Sequence, residues 1–86
     1  MNKRRFINKV KRLAASCDPN TPERVFAVTM YGWLRSKISG LPATMTADPD
    51  LVARPRPDQD DADAEVTSLE QAQDIFNTLF SNFMAE

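Results

Sequence analysis

The residue types that usually carry out catalysis or bind metal ions are scarce in this sequence. It has no histidine, the most common general base and metal ligand, and Cys17 is its only cysteine. The acidic run at residues 58–65 lacks the glycine and glutamate spacing of a calcium-binding loop. Gly32 and Gly40 are the only glycines, so a glycine-rich phosphate loop is also missing. We therefore predict a protein that is not an enzyme and that has no cofactor and no metal site.

The single cysteine also bears on the cellular compartment. Cys17 has no partner for an internal disulfide bond, which favours a reducing environment, so we expect a cytoplasmic protein. No stretch approaches the roughly 20 apolar residues that cross a bilayer, and no membrane span is predicted. Residues 1–17 are amphipathic, basic and free of acidic residues, which leaves a mitochondrial presequence as an alternative.

The net charge of −1 conceals a strong asymmetry along the chain. Residues 1–40 contain nine basic and two acidic residues, a net charge of +7, whereas residues 41–86 contain two basic and ten acidic residues, a net charge of −8. Either the two halves attract one another or each faces a different partner. Because salt screens exposed charges beyond about 8 Å, this attraction steers association more than it stabilises a fold.

Two helices are predicted in the first half of the chain. Residues 2–16 carry apolar side chains at helical spacing, beginning with Phe6. Residues 21–40 have a clear start and end: Thr21 can cap the helix, Pro22 suits its first position, and Gly40 can adopt the left-handed conformation that closes it. Only a short turn separates these helices, which predicts an antiparallel hairpin.

The second half is predicted to contain a linker and one further helix. Four prolines and the acidic run make residues 41–66 a Pro/Asp-rich disordered linker, with a single helical turn possible at residues 48–53. The acidic run is either solvated or a docking strip for a basic surface. The last helix covers residues 68–84, where Thr67 and Glu70 have the spacing of a capping box.

These elements define an all-α architecture of three helices in one domain. Its parts are a basic helical hairpin at residues 1–40, a Pro-rich acidic linker at residues 41–66, and an amphipathic C-terminal helix at residues 67–86. Only about 50 residues can form a core, and domains of that size are marginal unless they associate. We therefore predict a homodimer or a permanent complex with another protein.

The aromatic residues supply the predicted protein-binding surface. Aromatic side chains are enriched in binding hot spots, although on a helical stripe they usually belong to a core. We expect a small regulatory or adaptor protein that binds through its helices, of the kind by which bacteria or phages antagonise a transcription factor or effector complex. The predicted protein-binding residues are Trp33, Tyr31, Phe76, Phe80 and Phe83.

The alternative function is nucleic-acid binding, or an antitoxin-like combination of nucleic-acid and protein binding. Basic side chains on a helix can neutralise a phosphate backbone or contact an acidic protein, although a basic helix face is often merely solvated. The residues that would do so are Lys3, Arg4, Arg5, Lys9, Lys11 and Arg12.

Overall fold

The computed structural model describes residues 2–40, 47–56 and 65–85 of the chain. Four helices lie in these ranges: α1 (Lys3–Ala15), α2 (Pro22–Ser39), α3 (Pro49–Ala53) and α4 (Leu69–Met84). The all-α class is confirmed, and α3 is the helical turn predicted at residues 48–53. The disorder predicted for residues 41–46 and 57–64 lies outside the described residues.

The ends of α1 and α2 follow from their capping residues. The Asn2 side chain accepts a hydrogen bond of 2.8 Å from the Arg5 amide at the start of α1. Thr21 does the same for the Arg24 amide at 3.3 Å, and Pro22 occupies the first position of α2. Gly40 ends α2 in the left-handed conformation with φ 72°, which an L side chain rarely adopts. The predicted bounds of α2 are confirmed.

The start of α4 differs from the prediction by one residue. Ser68, rather than Thr67, caps the helix by accepting from the Gln71 amide at 3.1 Å. The Gln71 side chain reaches back and accepts from the Thr67 amide at 3.0 Å. The predicted Thr67–Glu70 capping box is therefore wrong. The physical reason is that Val66 donates a backbone hydrogen bond of 3.1 Å to Ser16, which keeps the preceding chain extended.

The same contact at Val66 sets the direction of α4. Val66 and Cys17 form an isolated parallel bridge, so the start of α4 lies beside the end of α1. At the other end of these helices, the rings of Phe6 and Phe83 stack with their centroids 4.7 Å apart. Helix α4 is therefore antiparallel to α1 and parallel to α2.

One apolar cluster unites α1, α2 and α4. Phe6, Val10 and Val28 are almost inaccessible to solvent, as are Cys17 and Val66. Side chains of α3 pack against the edge of this cluster. Fully burying an aliphatic or aromatic side chain stabilises the fold by about 1.5–3 kcal/mol. The buried members of the cluster are Phe6, Val10, Leu13, Ala14, Cys17, Ala27, Val28, Tyr31, Leu34, Val66, Ala72 and Phe76.

A buried arginine joins the hairpin to the middle of the chain. Arg24 is only 2% exposed, and its guanidinium donates to three backbone carbonyls. Nε and Nη2 donate to Cys17 at 3.2 and 2.6 Å, while Nη1 donates to Leu51 at 2.6 Å and to Arg54 at 2.9 Å. These oxygens lie at or just beyond the C-terminal ends of α1 and α3, where carbonyls lack helical partners. Burial lowers the pKa of Arg24, but a guanidinium stays charged at neutral pH.

The turn between α1 and α2 provides a second connection to α3. Asn20 adopts a positive φ of 63°, a conformation that asparagine tolerates better than most residues. Its amide donates to the Val52 carbonyl at 3.0 Å. Arg56 forms ion pairs with Asp18 at 3.6 Å and with Glu65 at 2.9 Å. Residues 47–56 are thus attached to the hairpin by contacts that composition alone did not predict.

We predict that Arg24→Met lowers the free energy of unfolding by about 3 kcal/mol, near 1 kcal/mol for each carbonyl left without a donor. Urea unfolding monitored by circular dichroism measures this loss. The matched control is Arg35→Met, because Arg35 is exposed on the same helix and has a single cation–π contact, with Tyr31 at 5.6 Å. The control should cost less than about 1 kcal/mol. Equal effects of the two variants would contradict the role given to Arg24.

Candidate interaction surfaces

The phenylalanines of α4 gather around one ring of α1. The Phe6 centroid lies 6.2 Å from Phe76, 6.2 Å from Phe80 and 4.7 Å from Phe83, and the last pair is nearly parallel at 7°. Phe76 also meets Phe26 of α2 edge-on at 5.8 Å. Each aromatic pair contributes about 0.5–1.5 kcal/mol beyond area burial. This cluster fixes α4 against both helices of the hairpin.

The five predicted protein-binding residues differ widely in exposure. Phe76 and Tyr31 are buried, each with 9% exposed, while Phe83 and Trp33 are half-buried. Phe80 is 38% exposed. The structure brings the three phenylalanines together around Phe6. Tyr31 borders a small cavity next to Arg24 and α3, and the Lys37 ammonium lies 5.6 Å from the centre of the Trp33 ring.

One flank of α4 leaves apolar side chains in solvent. Leu69, Phe80 and Met84 are 38%, 38% and 64% exposed, and we call these three residues the outer stripe. At 100° per residue they fall within about 60° of one another. The contacts of Phe80 with Phe6 and Phe76 hold its ring in place while one side of it stays in solvent. A partner would therefore meet a surface that is already ordered.

The opposite flank of α4 forms a groove with α1. The α1/α4 groove has a volume of about 270 Å³. Its floor is aliphatic and consists of Leu13, Val66, Ile75 and Leu79, while Lys9 and Arg12 of α1 border it. This volume lies just below the usual range of small-molecule pockets, about 300–1,000 Å³.

The outward face of α1 carries positive charge only. All six of its lysines and arginines are exposed, and the helix contains no acidic residue. At 100° per residue, four of the six lie in the arc opposite Phe6 and Val10. Lys9 lies at the edge of the apolar stripe, and Lys3 lies at the start of the helix. We call this surface the basic face; its residues are Lys3, Arg4, Arg5, Lys9, Lys11 and Arg12.

Cys17 is a buried residue of the apolar core. It is inaccessible to solvent, and its thiol donates to the Leu13 carbonyl at 3.3 Å. Burial raises the pKa of Cys17 from 9.0 to about 11, and the positive charge of Arg24 opposes this shift only in part. A thiol reacts as the thiolate, so Cys17 is a poor nucleophile at neutral pH.

Residues 2–40, 47–56 and 65–85 contain neither a metal-binding group nor a membrane-spanning helix. Within these ranges, no three residues of the His, Cys, Asp and Glu types are grouped so that they could hold a metal ion. None of the four helices found there is both long enough and apolar enough to cross a bilayer.

Comparison of the chain with protein-family models, with curated proteins and with solved structures gave no match.

The sequence predictions gave no role to Arg24 and did not include the α1/α4 groove. Viewed down the axis of α2, Arg24 projects between Tyr31 and Val28 on the buried face of the helix. A charged residue inside an apolar arc indicates a buried side chain that forms hydrogen bonds. The groove has no comparable signal. It depends on how far apart α1 and α4 lie, and on Val66, which belongs to neither helix.

The raised pKa of Cys17 predicts a loss of stability in alkali. The native thiol keeps its proton to about pH 11, whereas the unfolded chain loses it near pH 9.0. Stabilisation is complete below pH 9.0 and falls as pH rises through both values. Between pH 8 and pH 10 we expect wild type to lose about 1 kcal/mol more than Cys17→Ala. Urea unfolding of both proteins at the two pH values measures this difference, and parallel pH dependences would contradict it.

Proposed function

We propose that this protein is a small non-catalytic regulator or adaptor that acts by helix-mediated protein binding. The observation that carries the proposal is the outer stripe, in which Phe80 and Met84 remain 38% and 64% exposed. The two residues are four positions apart and so lie one above the other on α4. Such an apolar edge is the usual anchor for a partner helix.

The chemistry of the outer stripe supports this role. Aromatic rings contribute large contact areas to binding hot spots. Methionine is unbranched and polarizable, so Met84 can adapt to the shape of a partner. The stripe lies beside side chains that already pack on α2, since Phe76 contacts both Phe80 and Phe26. A partner helix on this edge would extend the existing aromatic cluster.

A second copy of the chain would fit the outer stripe as a partner. A two-fold contact between α4 helices running in opposite directions would place Leu69 of one protomer near Met84 of the other. The same surface would then be covered on both protomers. In a regulatory complex, a helix of the target protein would occupy this position instead of the second copy.

Sedimentation velocity over a wide concentration series tests the proposal. We expect wild type to be a dimer and the double variant Phe80→Asp, Met84→Asp to be a monomer with unchanged helical circular dichroism. The matched control is Thr78→Asp with Asn82→Asp, which places the same two charges on the opposite, solvent-exposed side of α4. This control should remain a dimer. A wild type that is monomeric throughout, or a control that also dissociates, would contradict self-association through the outer stripe.

The second candidate function is nucleic-acid binding, favoured by the basic face. Its six exposed cations lie on one helix of 13 residues with no acidic residue between them. Lysine and arginine contacts to phosphates give affinity that falls steeply with salt. The floor of the neighbouring groove is aliphatic, so bases would find no aromatic ring there to stack on.

A gel-shift titration with duplex DNA at several salt concentrations tests this second candidate. If the basic face binds phosphates, the variant Arg4→Gln, Arg5→Gln, Arg12→Gln should bind more weakly. Its slope of log affinity against log salt should fall by about 2.7, or about 0.9 for each phosphate that an arginine no longer neutralises. Arg35→Gln on α2 is the control and should leave the slope unchanged. A triple variant with the wild-type slope would exclude the basic face as the nucleic-acid site.

A further inference from the structure

The outer stripe continues onto α2 as a wider apolar surface. Phe26 meets Phe76 of α4 edge-on at 5.8 Å, so the Phe26 side of α2 borders α4. At 100° per residue, Met30 and Trp33 fall within about 40° of Phe26 on α2. All three are half-buried and pack against the core. We call the combined surface the α2/α4 face; its residues are Phe26, Met30, Trp33, Leu69, Phe80 and Met84.

The flank of α4 that carries the outer stripe lies on the α2 side. Ile75 and Leu79 line the groove with α1, and Phe80 lies about 100–140° around the helix from them. Because Phe76, between these two flanks, contacts Phe26, helix α2 lies on the side of Phe80. Since α2 and α4 are parallel, this contact also sets their register along the axis. One turn further on, Met30 of α2 is level with Phe80 of α4.

The two ends of the α2/α4 face carry opposite charges. Near the C-terminal end of α2, the Lys37 ammonium lies 5.6 Å from the centre of the Trp33 ring. Near the N-terminal end of α4, Glu70 is exposed and lies about 80° around the helix from Phe80. At 1.5 Å per residue, Lys37 lies about 10 Å and Glu70 about 15 Å from the Met30–Phe80 level, in opposite directions.

The neighbouring charges leave this pattern in place. Asp74 lies one turn after the negative end, and Glu23 is buried at the same end of α2, with 7% exposed. Glu65 is already paired with Arg56 at 2.9 Å. Residues 41–46, which follow the positive end, contain no charged residue. Glu86 lies outside the described residues, two positions beyond the end of α4.

These charges favour a second copy of the chain as the occupant. A two-fold contact brings the same surface together with itself, so a face with opposite charges at its two ends supplies its own complement. Stable interfaces bury about 800 Å² on each partner. The three side chains of the outer stripe are only part of such an area, whereas the α2/α4 face spans two helices.

We propose that the α2/α4 face binds a second copy of the chain across a two-fold axis, with Lys37 of each protomer paired with Glu70 of the other. The inference rests on the proposed function; it adds α2 to the interface and sets the orientation of the protomers. Lys37 lies on α2 and Glu70 on the far border of α4, so the axis runs obliquely and the antiparallel α4 helices cross at an angle. Trp33 and Phe80 then lie inside the interface, where aromatic anchors supply most of the affinity.

Charge reversal tests the pairing by sedimentation velocity over a concentration series. Lys37→Glu and Glu70→Lys should each weaken the dimer about tenfold, because the two-fold axis repeats each exposed ion pair. The double variant Lys37→Glu, Glu70→Lys should return to within about threefold of wild type. The matched control is Arg35→Glu, which reverses an exposed charge about 160° around α2 from Lys37. It should weaken the dimer less than about threefold.

Mixing the two single variants separates pairing between protomers from bulk charge. In the mixed dimer both contacts again join opposite charges, so the mixture of Lys37→Glu with Glu70→Lys should dimerise about tenfold more tightly than either variant alone. Glu86→Gln should leave the dimer constant within about threefold of wild type. A mixture that is no tighter would overturn the proposal. So would a larger effect of Glu86→Gln, or an Arg35→Glu variant that weakens the dimer as much as Lys37→Glu does.

The single tryptophan reports whether α2 belongs to the interface. Trp33 is half-buried in one copy, so acrylamide should quench its fluorescence about twofold less in the dimer than after dilution to monomer. The variant Phe80→Asp, Met84→Asp should show the monomer value at every concentration. Equal quenching of dimer and monomer would overturn this inference while leaving self-association through the outer stripe intact. A wild type that is monomeric throughout would contradict both and would assign the face to a different protein.

Discussion

The contact between Phe6 and the phenylalanines of α4 determines which surfaces this protein presents. Phe6 is 1% exposed and lies between 4.7 and 6.2 Å from three rings of α4. These contacts set the rotation of α4 about its own axis. One flank, with Phe80 and Met84, is thereby left in solvent, and the other, with Leu79, faces α1. Both candidate surfaces are consequences of one aromatic cluster.

Arg24 has a different role, because it organises polar backbone. Three carbonyls from two separate segments converge on its guanidinium within 3.2 Å. A buried cation is tolerated only when its donors are satisfied, and here backbone oxygens satisfy them. The aromatic cluster and Arg24 lie toward opposite ends of α1, since Phe6 belongs to its first half and Cys17 follows its last turn. The core is thus secured at one end by apolar contact and at the other by hydrogen bonds.

The sequence predicted the local structure better than the surfaces. Thr21, Pro22 and Gly40 define α2 because capping depends on neighbouring residues alone, and Asp48 caps α3 for the same reason. The start of α4 differs from the predicted start because Val66 forms a backbone hydrogen bond with Ser16, fifty positions earlier. Such long-range contacts leave no periodic signal.

The same distinction holds for the candidate sites. The exposure of the basic face follows from helical periodicity, because charged residues opposite an apolar stripe face solvent. The difference between Phe76, which is buried, and Phe80, which is exposed, does not follow, since the sequence predicts both as protein-binding residues of the same amphipathic helix. Only the packing of α4 against two helices at once separates them.

The joining of distant parts of the chain has a thermodynamic consequence. The hairpin of α1 and α2 relies on neighbouring residues, whereas Phe6 meets Phe83 only after a long loop has closed. Until α4 docks, the groove with its floor of Ile75 and Leu79 does not exist. Any ligand that fills it must therefore favour the docked state by mass action. Recognition and completion of the fold are, in this molecule, a single linked equilibrium.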